Sequence, residues 1–136
     1  RYDSIRGLFE DDEARVYQTE RGVLIKAHGF FFPTGKTNIE VQNYPLVKKI
    51  IDSINQFPEA RKIVISGHTD STGSNSLNLA LSKERASNMM ELLASLGQIP
   101  TQKMESRGFG EMRPVETNNT KRGRALNRRI EIQIKK

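Results

Sequence analysis

Residues 61–97 read "RKIVISGHTDSTGSNSLNLALSKERASNMMELLASLG" and predict a strand, a polar turn and a helix in succession. The β-branched run at 63–65 is typical of a buried strand. Ser, Thr, Asp and Gly dominate residues 66–73, and these are the residue types that tight turns require. Apolar residues then recur at helical spacing over 75–96, and Gly97 is expected to end this helix as its C-terminal cap.

The flanking sequence predicts three further strands and one further helix. Residues 22–32 form a predicted first strand that ends at the turn signal PTG. A helix is expected to follow Asn43, which can cap it, and to end at Pro58. Its apolar stripe consists of Val47, Ile50, Ile51, Ile54 and Phe57. Residues 103–114 predict a third strand that runs into a glycine-rich loop, and residues 127–136 a last strand in which isoleucines alternate with polar residues.

The predicted order of elements is strand, helix, strand, helix, strand, strand, which indicates an α+β fold. Two main helices packed on one face of a mixed four-stranded sheet would bury both apolar stripes. The length of 136 residues indicates one domain. Residues 22–136 are assigned to this domain, and residues 1–21 to a lead-in segment, with a short helix or irregular structure over 8–19.

Composition excludes several classes of protein. With 35% hydrophobic and 28% charged residues, the chain is typical of a soluble globular domain. It contains no apolar run long enough to span a bilayer, and no cysteine for a disulfide or a thiolate metal site. The first residues include neither an initiator Met nor an apolar signal core. We therefore expect a fragment that makes no membrane contact itself, with the membrane anchor of its parent protein upstream.

The net charge of +6 is concentrated at the C-terminal end. Residues 121–136 contain seven Lys and Arg against the single acid Glu131, so residues 1–120 balance to zero. Such a cluster can track phosphates, which leaves a nucleic-acid-binding module as an alternative function. No aromatic residue is interleaved with it, as single-strand binders require, and a solvated basic surface accounts for it equally well.

The predicted helix over 75–96 directs a cation inward. A rotation of about 100° per residue places Arg85 in the middle of its apolar stripe, with Asn78 beside it. The apolar members of this stripe are Leu81, Met89, Leu92 and Leu96. An inward guanidinium needs a carboxylate or a ligand, and Asp70 in the preceding turn is the nearest predicted anion.

Two interpretations of Asp70 and Arg85 remain open from the residues alone. The first is an internal salt bridge that closes the corner between strand and helix. The second is a recognition site for a zwitterionic ligand, in which Asp70 takes an ammonium and Arg85 a carboxylate. Free backbone N–H groups over 74–76 could provide a further position for an anion.

Catalytic and metal-binding interpretations of SGHTDS, residues 66–71, are weak. His68, Asp70 and a neighbouring Ser could be read as a triad, or His68 and Asp70 as metal ligands. The chain has no G-x-S-x-G elbow, only one other histidine, His28, and no second ligand cluster. The glycines at 108 and 110 lack the third spaced glycine of a dinucleotide loop. We expect no catalysis, metal or cofactor, and a hydrogen-bonding role for His68 at the strand end.

Four motifs, in this order, resemble a known family. They are G-H-T-D at 67–70, N-x-x-L-S-x-x-R-A at 78–86, R-G-x-G-E-x-x-P at 107–114 and N-R-R-I-E-I at 127–132. With the looser GFFFPTGKTNI they fall between residues 29 and 134. The combination is similar to the OmpA-like C-terminal domain that binds peptidoglycan, which also occurs in the peptidoglycan-associated lipoprotein and in flagellar stator proteins.

The resemblance implies a βαβαββ domain of the bacterial periplasm, associated with the outer membrane, that anchors an envelope protein to the cell wall without chemistry or nucleic acid. In that family, an aspartate at the position of Asp70 and an arginine at that of Arg85 hold the meso-diaminopimelate of the peptidoglycan stem peptide. Other positions implied for the site are Asn78, Thr69 and Leu81, with Arg128 or Arg129 reaching the ligand. Many members carry F-D-x-x-S where this chain reads FPTGK at 32–36, so the resemblance assigns no ligand contact to that loop.

Overall fold

The computed structural model describes all 136 residues, and its strands form one mixed five-stranded sheet. The strands are β1 (Ala14–Thr19), β2 (Gly22–Ala27), β3 (Lys62–His68), β4 (Met104–Gly108) and β5 (Arg129–Lys135). Their order across the sheet is β1-β2-β5-β3-β4. The strands β3 and β4 are parallel, whereas all other neighbours are antiparallel.

Four α-helices accompany the sheet. They are α1 (Tyr2–Arg6), α2 (Tyr44–Asn55), α3 (Asn75–Gly97) and α4 (Lys121–Asn127). Short 3-10 turns precede α2 and β4, at Val41–Asn43 and Thr101–Lys103. The predicted α+β fold is confirmed, because β2, α2, β3, α3, β4 and β5 follow in the predicted order. None of the helices combines the length and apolar composition needed to cross a membrane.

The prediction of four strands was wrong because the lead-in segment supplies a fifth. Residues 14–19 form β1, which pairs with β2 along its whole length, where a short helix or irregular structure was expected over 8–19. The acidic run before it is typical of a helix start, but β2 would otherwise present an unpaired edge. The short helix of this segment is α1 instead, and its Ile5 is fully buried in the core.

Branched aliphatic residues on one face of the sheet form the core. In the register of the central strands, Ile63 lies opposite Ile134, and Ile65 opposite Ile132. On the other side of β5, Ile25 also lies opposite Ile132. The side chains of α2 and α3 that pack in the same cluster are Val47, Ile50, Ile54, Ala86, Met89 and Leu93. Both long helices are therefore held by burial of apolar surface.

The first half of α3 lies unusually close to β3 and β4. Gly67 and Gly108 are neighbours in the parallel register. A Cβ atom on Gly67 would stand 2.2 Å from the carbonyl oxygen of Ser82, and one on Gly108 would stand 2.4 Å from the backbone nitrogen of Lys83. No side chain fits at either position, so the glycines allow the helix backbone to contact the sheet directly.

This close contact changes the buried face of α3. Its buried residues are Asn78, Ser82, Ala86, Met89 and Leu93. The centre of that face is about 60° away from Arg85, which was predicted to lie mid-stripe. Arg85 is therefore at the edge of the buried face, and Leu96, which was assigned to the stripe, is 53% exposed. The prediction weighted large apolar residues, whereas the contact with glycine strands selects the small residues Ser82 and Ala86.

The ends of α2 and α3 differ in detail from prediction, and one further helix is present. Asn43 occupies the predicted N-cap position of α2, but its side chain makes no capping hydrogen bond. It accepts the N–H of Phe31 at 2.8 Å and donates to the carbonyl of Phe31 at 2.9 Å instead. Gly97 is the last residue of α3 rather than its cap, which is Gln98 in the left-handed conformation with φ 52°. The helix α4 was not predicted, although Thr120 caps it by accepting a hydrogen bond from the N–H of Gly123 at 2.9 Å.

Candidate binding cavity

A cavity of about 670 Å³ opens where β3 ends. Four parts of the chain line it: the loop after β2, the end of β3 with the following turn, the first half of α3, and α4 with the start of β5. All seven residues proposed from the sequence, Thr69, Asp70, Asn78, Leu81, Arg85, Arg128 and Arg129, are among its lining residues. The volume is in the range of small-molecule and peptide side-chain sites.

Asp70 is a buried carboxylate that the turn holds in its ionised form. One carboxylate oxygen, Oδ1, accepts the backbone N–H of Thr72 at 2.8 Å, and the other, Oδ2, accepts Nη1 of Arg128 at 2.6 Å. Burial alone would raise the pKa of Asp70, but the hydrogen bonds from Thr72 and Arg128 outweigh it and hold the pKa below its usual value. The positive φ of Gly73, 86°, lets the chain turn sharply into α3 just after this carboxylate.

Arg85 contacts the first loop, which is the segment that follows β2. Its Nε donates to the carbonyl oxygen of Lys36 at 2.8 Å, and its guanidinium lies 4.4 Å from the centre of the Phe32 ring. The two terminal nitrogens make no hydrogen bond to the protein. Partial burial lowers the pKa of Arg85, which nevertheless stays charged at neutral pH. The internal Asp70–Arg85 salt bridge is absent, so both side chains face the same cavity with other partners.

Asn78 fixes the turn that carries Asp70. Its Nδ2 donates to the carbonyl oxygen of Thr72 at 2.9 Å, with longer contacts of 3.4 Å to the carbonyl of Asp70 and to Oε1 of Glu111. The side chain is buried at the first turns of α3. Asn78 therefore joins the helix to both neighbouring loops, which makes it a positioning residue for Asp70.

Thr69 and Leu81 form parts of the cavity wall. The hydroxyl of Thr69 donates to the carbonyl oxygen of Asp70 at 2.8 Å, and its N–H donates to that of Gly110 at 2.9 Å. Leu81 is half-buried on α3, one turn before Arg85. Both belong to the same cavity lining as Asp70 and Arg85.

The two arginines before β5 have different surroundings. The Arg128 side chain is 53% exposed and reaches Asp70. The Arg129 side chain is 3% exposed, and its guanidinium donates to Glu131, to the carbonyl of Asn127 and to that of Arg113. Burial lowers the pKa of Arg129, against the opposing effect of the Glu131 carboxylate. Arg128 is thus available at the cavity surface, whereas Arg129 is engaged within the protein.

Two parts of the cavity were not predicted from the sequence. The first loop contributes Phe31 and Phe32, and the buried Asn43 holds Phe31 in place through both of its backbone groups. The helix α4 contributes Arg124, whose Nη1 donates to the carbonyl oxygen of Asn118 at 2.8 Å. Thr120 is a residue type that favours the N-cap position, which is the sequence signal for α4.

His68 does not form a catalytic triad. Its Nε2 lies 3.2 Å from Oγ of Ser66, and its Nδ1 is buried without a partner, whereas a triad needs an acid at the second ring nitrogen. Burial, together with the charges of Arg129, Arg113 and Lys26, lowers the pKa of His68 to about 3. The ring therefore stays neutral and accepts no proton as a general base near neutral pH. The structure contains no cluster of three His, Asp or Glu side chains that could hold a metal ion.

The basic C-terminal segment does not form one surface. Arg124 and Arg128 line the cavity, and Arg129 is buried against Glu131. The strand β5 then carries Lys135 to the opposite end of the sheet, where it pairs in register with Gly22 and Lys62. This dispersal does not favour a nucleic-acid interface, which requires a contiguous basic track.

Comparison with known proteins places the chain in a family. A family model described as the OmpA family matches residues 31–128. Outer membrane protein Omp38 of Acinetobacter baumannii is 37% identical over 100 residues, which are 74% of this chain and 28% of that protein. Motility protein B of Bacillus subtilis is 37% identical over 129 residues, 91% of this chain and 49% of that protein. Peptidoglycan-binding protein ArfA of Mycobacterium tuberculosis is 35% identical over 92 residues, 68% and 28% of the two chains.

This chain thus spans between 28% and 49% of the length of these curated relatives. Solved structures support the fold over a larger part of the chain. The cell wall anchor of the T6SS from Pseudomonas aeruginosa superposes with a TM-score of 0.82 at 23% identity, over 99% of this chain and 96% of that one. The peptidoglycan-associated lipoprotein from Burkholderia pseudomallei superposes with a TM-score of 0.65 at 26% identity, over 78% and 88%.

Proposed function

Because this chain belongs to the OmpA family, we propose that it binds peptidoglycan non-covalently and holds an envelope protein to the bacterial cell wall. Its relatives include a protein named as peptidoglycan-binding and another named as an outer membrane protein, which supports a place in the cell envelope. The proposal locates the domain in the periplasm, close to the outer membrane. The function needs no catalysis and no cofactor.

The observation that carries this proposal is the placement of two unlike charges in one cavity without a bond between them. Asp70 is ionised and buried, and Arg85 keeps two guanidinium nitrogens without a protein partner. A ligand that carries an ammonium and a carboxylate on the same carbon can bridge such a pair. The free end of meso-diaminopimelate in the stem peptide has this chemistry.

We infer the following arrangement of the ligand. Asp70 accepts hydrogen bonds from the ammonium, since a carboxylate accepts up to about four and Asp70 uses two within the protein. Arg85 donates to the carboxylate through its terminal nitrogens, while Phe32 and the carbonyl of Lys36 hold its guanidinium in orientation. Recognition therefore depends on both charges at a fixed separation.

The neighbouring residues receive supporting roles. Asn78 positions the Asp70 turn, and Thr69 and Leu81 form the wall beside the bridging group. Of the two arginines before β5, we propose Arg128 as the ligand contact, because it shares the Asp70 carboxylate at the cavity surface. The guanidinium of Arg129 is already bound by Glu131 and two carbonyls, so its role is to hold β5 and the loop before it.

Single stem peptides are expected to bind weakly. Hydrogen bonds to charged groups contribute about 1.5–3 kcal/mol each, and two of them with a few neutral contacts give roughly 4–7 kcal/mol. This corresponds to a dissociation constant between about millimolar and about ten micromolar. The wall repeats the ligand many times, so a protein tethered beside it would gain from a high effective concentration. Weak sites can in this way give a durable attachment.

Sedimentation with purified peptidoglycan sacculi tests the proposal. We expect the wild-type domain to pellet with sacculi and Asp70→Asn and Arg85→Gln to remain in the supernatant. Asp52→Asn on α2 and Lys83→Gln on α3 are matched controls, because each removes the same charge from outside the cavity lining. They should pellet like the wild type. Pelleting of both cavity variants at the wild-type level, with folding verified by circular dichroism, would exclude this site.

A calorimetric comparison of two stem peptides tests the finer assignment. The peptides differ only in whether the diamino acid is meso-diaminopimelate or lysine, and hence in one carboxylate. We expect the wild type to bind the diaminopimelate peptide at least tenfold more tightly and Arg85→Gln to bind both equally weakly. Equal affinities in the wild type would mean that Arg85 does not bind this carboxylate.

A further inference from the structure

The charges that line the cavity are not balanced. It contains one carboxylate, that of Asp70, and the guanidiniums of Arg85, Arg124, Arg128 and Arg129. Arg128 pairs with Asp70, and Arg129 pairs with Glu131. Neither Arg85 nor Arg124 takes part in an ion pair, and the two belong to different helices. A zwitterion bound between Asp70 and Arg85 adds no net charge, so it would leave Arg124 uncompensated.

Arg124 is placed to meet a ligand. Arg128 is the residue that follows α4, and its backbone N–H donates to the carbonyl oxygen of Arg124 at 3.0 Å, so the two arginines are neighbours in the cavity lining. The single side-chain hydrogen bond of Arg124 within the protein, from Nη1 to the carbonyl oxygen of Asn118, fixes the guanidinium at the cavity wall and leaves its other nitrogens unbound. The side chain is half-buried, so its charge is partly shielded from water.

The support beneath Arg124 is rigid. Asn127, which is fully buried, accepts the N–H groups of Val115 and Glu116 and donates to the carbonyl of Glu116 and to the side chain of Asn118. These bonds tie the loop before α4 to the end of the helix. A preorganised guanidinium of this kind loses little conformational entropy when it binds a carboxylate.

We propose that Arg124 binds a second carboxylate of the stem peptide, so that the domain prefers peptides that keep this group free over peptides in which it is amidated. The inference rests on the proposed function, because it concerns the same cavity and the same ligand. Arg85 and Arg124 then serve separate carboxylates. The second carboxylate has two chemical sources, the acidic residue that precedes the diamino acid and the C-terminus of the peptide.

Calorimetry with three diaminopimelate peptides tests the inference. One peptide has both groups free, the second is amidated at the acidic residue, and the third is amidated at its C-terminus. For the wild type, we expect one amidation to weaken binding about five- to tenfold, as for a charge-assisted hydrogen bond that is partly exposed. Which amidation has this effect identifies the source.

Arg124→Gln removes the charge but keeps a donor for the carbonyl of Asn118. We expect it to bind all three peptides alike, at the wild-type affinity for the sensitive amidated peptide. Arg124→Lys, which keeps the charge, should restore part of the preference. The exposed Arg122 provides the matched control, and Arg122→Gln should leave the preference at its wild-type value.

The outcomes separate this inference from the proposed function. If the wild type binds all three peptides equally well, or if Arg124→Gln keeps the wild-type preference, the inference is overturned while the proposed function stands. If Arg122→Gln reduces the preference as much as Arg124→Gln, the preference comes from long-range attraction to positive charge and not from a contact with Arg124. The inference is then also overturned. If the wild type binds none of the peptides, the proposed function fails and the inference fails with it.

Discussion

The two halves of α3 pack against the sheet in different ways. In the second half, Met89 and Leu93 are fully buried among the isoleucines of the core. In the first half, the buried side chains are those of Asn78 and Ser82, and the helix backbone touches the strands at their paired glycines. Burial of apolar surface stabilises one half, whereas backbone contact and hydrogen bonds position the other.

The first half gains a defined geometry from this arrangement. The hydroxyl of Ser82 accepts the N–H of Gly110 at 2.9 Å and donates to the carbonyl oxygen of Leu79 at 3.0 Å. Together with Asn78, it joins the helix to the loops after β3 and β4. One helix thus separates stability from site geometry along its length, and changes in the two halves should have different consequences.

The largest expected effect is in the apolar half. Leu93→Ala should lower the free energy of unfolding by about 2–5 kcal/mol, because it leaves a cavity where a fully buried side chain packed. The variant molecules that remain folded should still pellet with sacculi, since no cavity-lining residue changes. Guanidinium denaturation and sedimentation measure the two effects.

Leu96→Ala is the matched control for this prediction. Leu96 is 53% exposed on the same helix, so its truncation should change stability by less than about 0.5 kcal/mol. A folded Leu93→Ala that no longer binds sacculi would show that the two halves of α3 are not independent. Equal losses of stability in the two variants would contradict the buried face described above.

Acid should act beside the first half of α3, because the buried, neutral His68 at the end of β3 lines the same cavity as Asn78 and Ser82. The lowered pKa of His68 means that the unfolded chain takes up a proton below its usual pKa of 6.5, while the folded chain does so only near 3. The contribution of His68 to the free energy of unfolding is therefore fully present above pH 6.5 and is lost as the pH falls toward 3. By pH 4.5 the expected loss is about 2–3 kcal/mol.

His68→Gln, which keeps a polar side chain but does not titrate, should reduce this loss between pH 7 and pH 4.5. A smaller loss should remain, because burial also lowers the pKa of His28, with the same sign of effect. Asp70 contributes in a lower range, since its lowered pKa makes its contribution fall only below about pH 3.8. Denaturation curves at several pH values check this, and identical pH dependence in the variant and the wild type would argue against a titrating His68.

The sequence predicted well where side chains alone determine structure. Alternation and helical spacing identified four of the five strands and both long helices, and the family drawn from the motifs is confirmed by the match over residues 31–128. The seven proposed site residues all line one cavity, while their roles toward a ligand stay predictions.

The sequence predicted poorly where one backbone meets another. Periodicity of apolar residues could not show that Gly67 and Gly108 would rotate α3 until Arg85 lay at the edge of its buried face. The partner of Asp70 was also missed, because the Arg128 side chain reaches it from a helix end 58 residues away in the chain. Contacts of this kind depend on the assembled fold rather than on local pattern.

A modest loss of stability should accompany a large change in the site when Gly108 is replaced. In Gly108→Ala, the new Cβ would stand 2.4 Å from the backbone nitrogen of Lys83 and 2.5 Å from its Cα, so α3 must move away from β4. Such overpacking costs about 1–3 kcal/mol. Because Asn78 and Arg85 move with the helix, binding to sacculi should weaken even in fully folded protein, as measured by sedimentation at a temperature well below the melting transition.

Gly97→Ala at the other end of α3 is the matched control. Its Cβ would meet only the side-chain ends of Ile51 and Ile99, at 3.1–3.3 Å, which can shift by a few tenths of an ångström. The gain in helix propensity of about 1 kcal/mol opposes this small cost, so stability should change little and binding not at all. Equal binding of sacculi by Gly108→Ala and Gly97→Ala would contradict this prediction. It would mean that direct contact between the backbones of helix and sheet does not position Asn78 and Arg85. The two halves of α3 would then differ only in their contribution to stability.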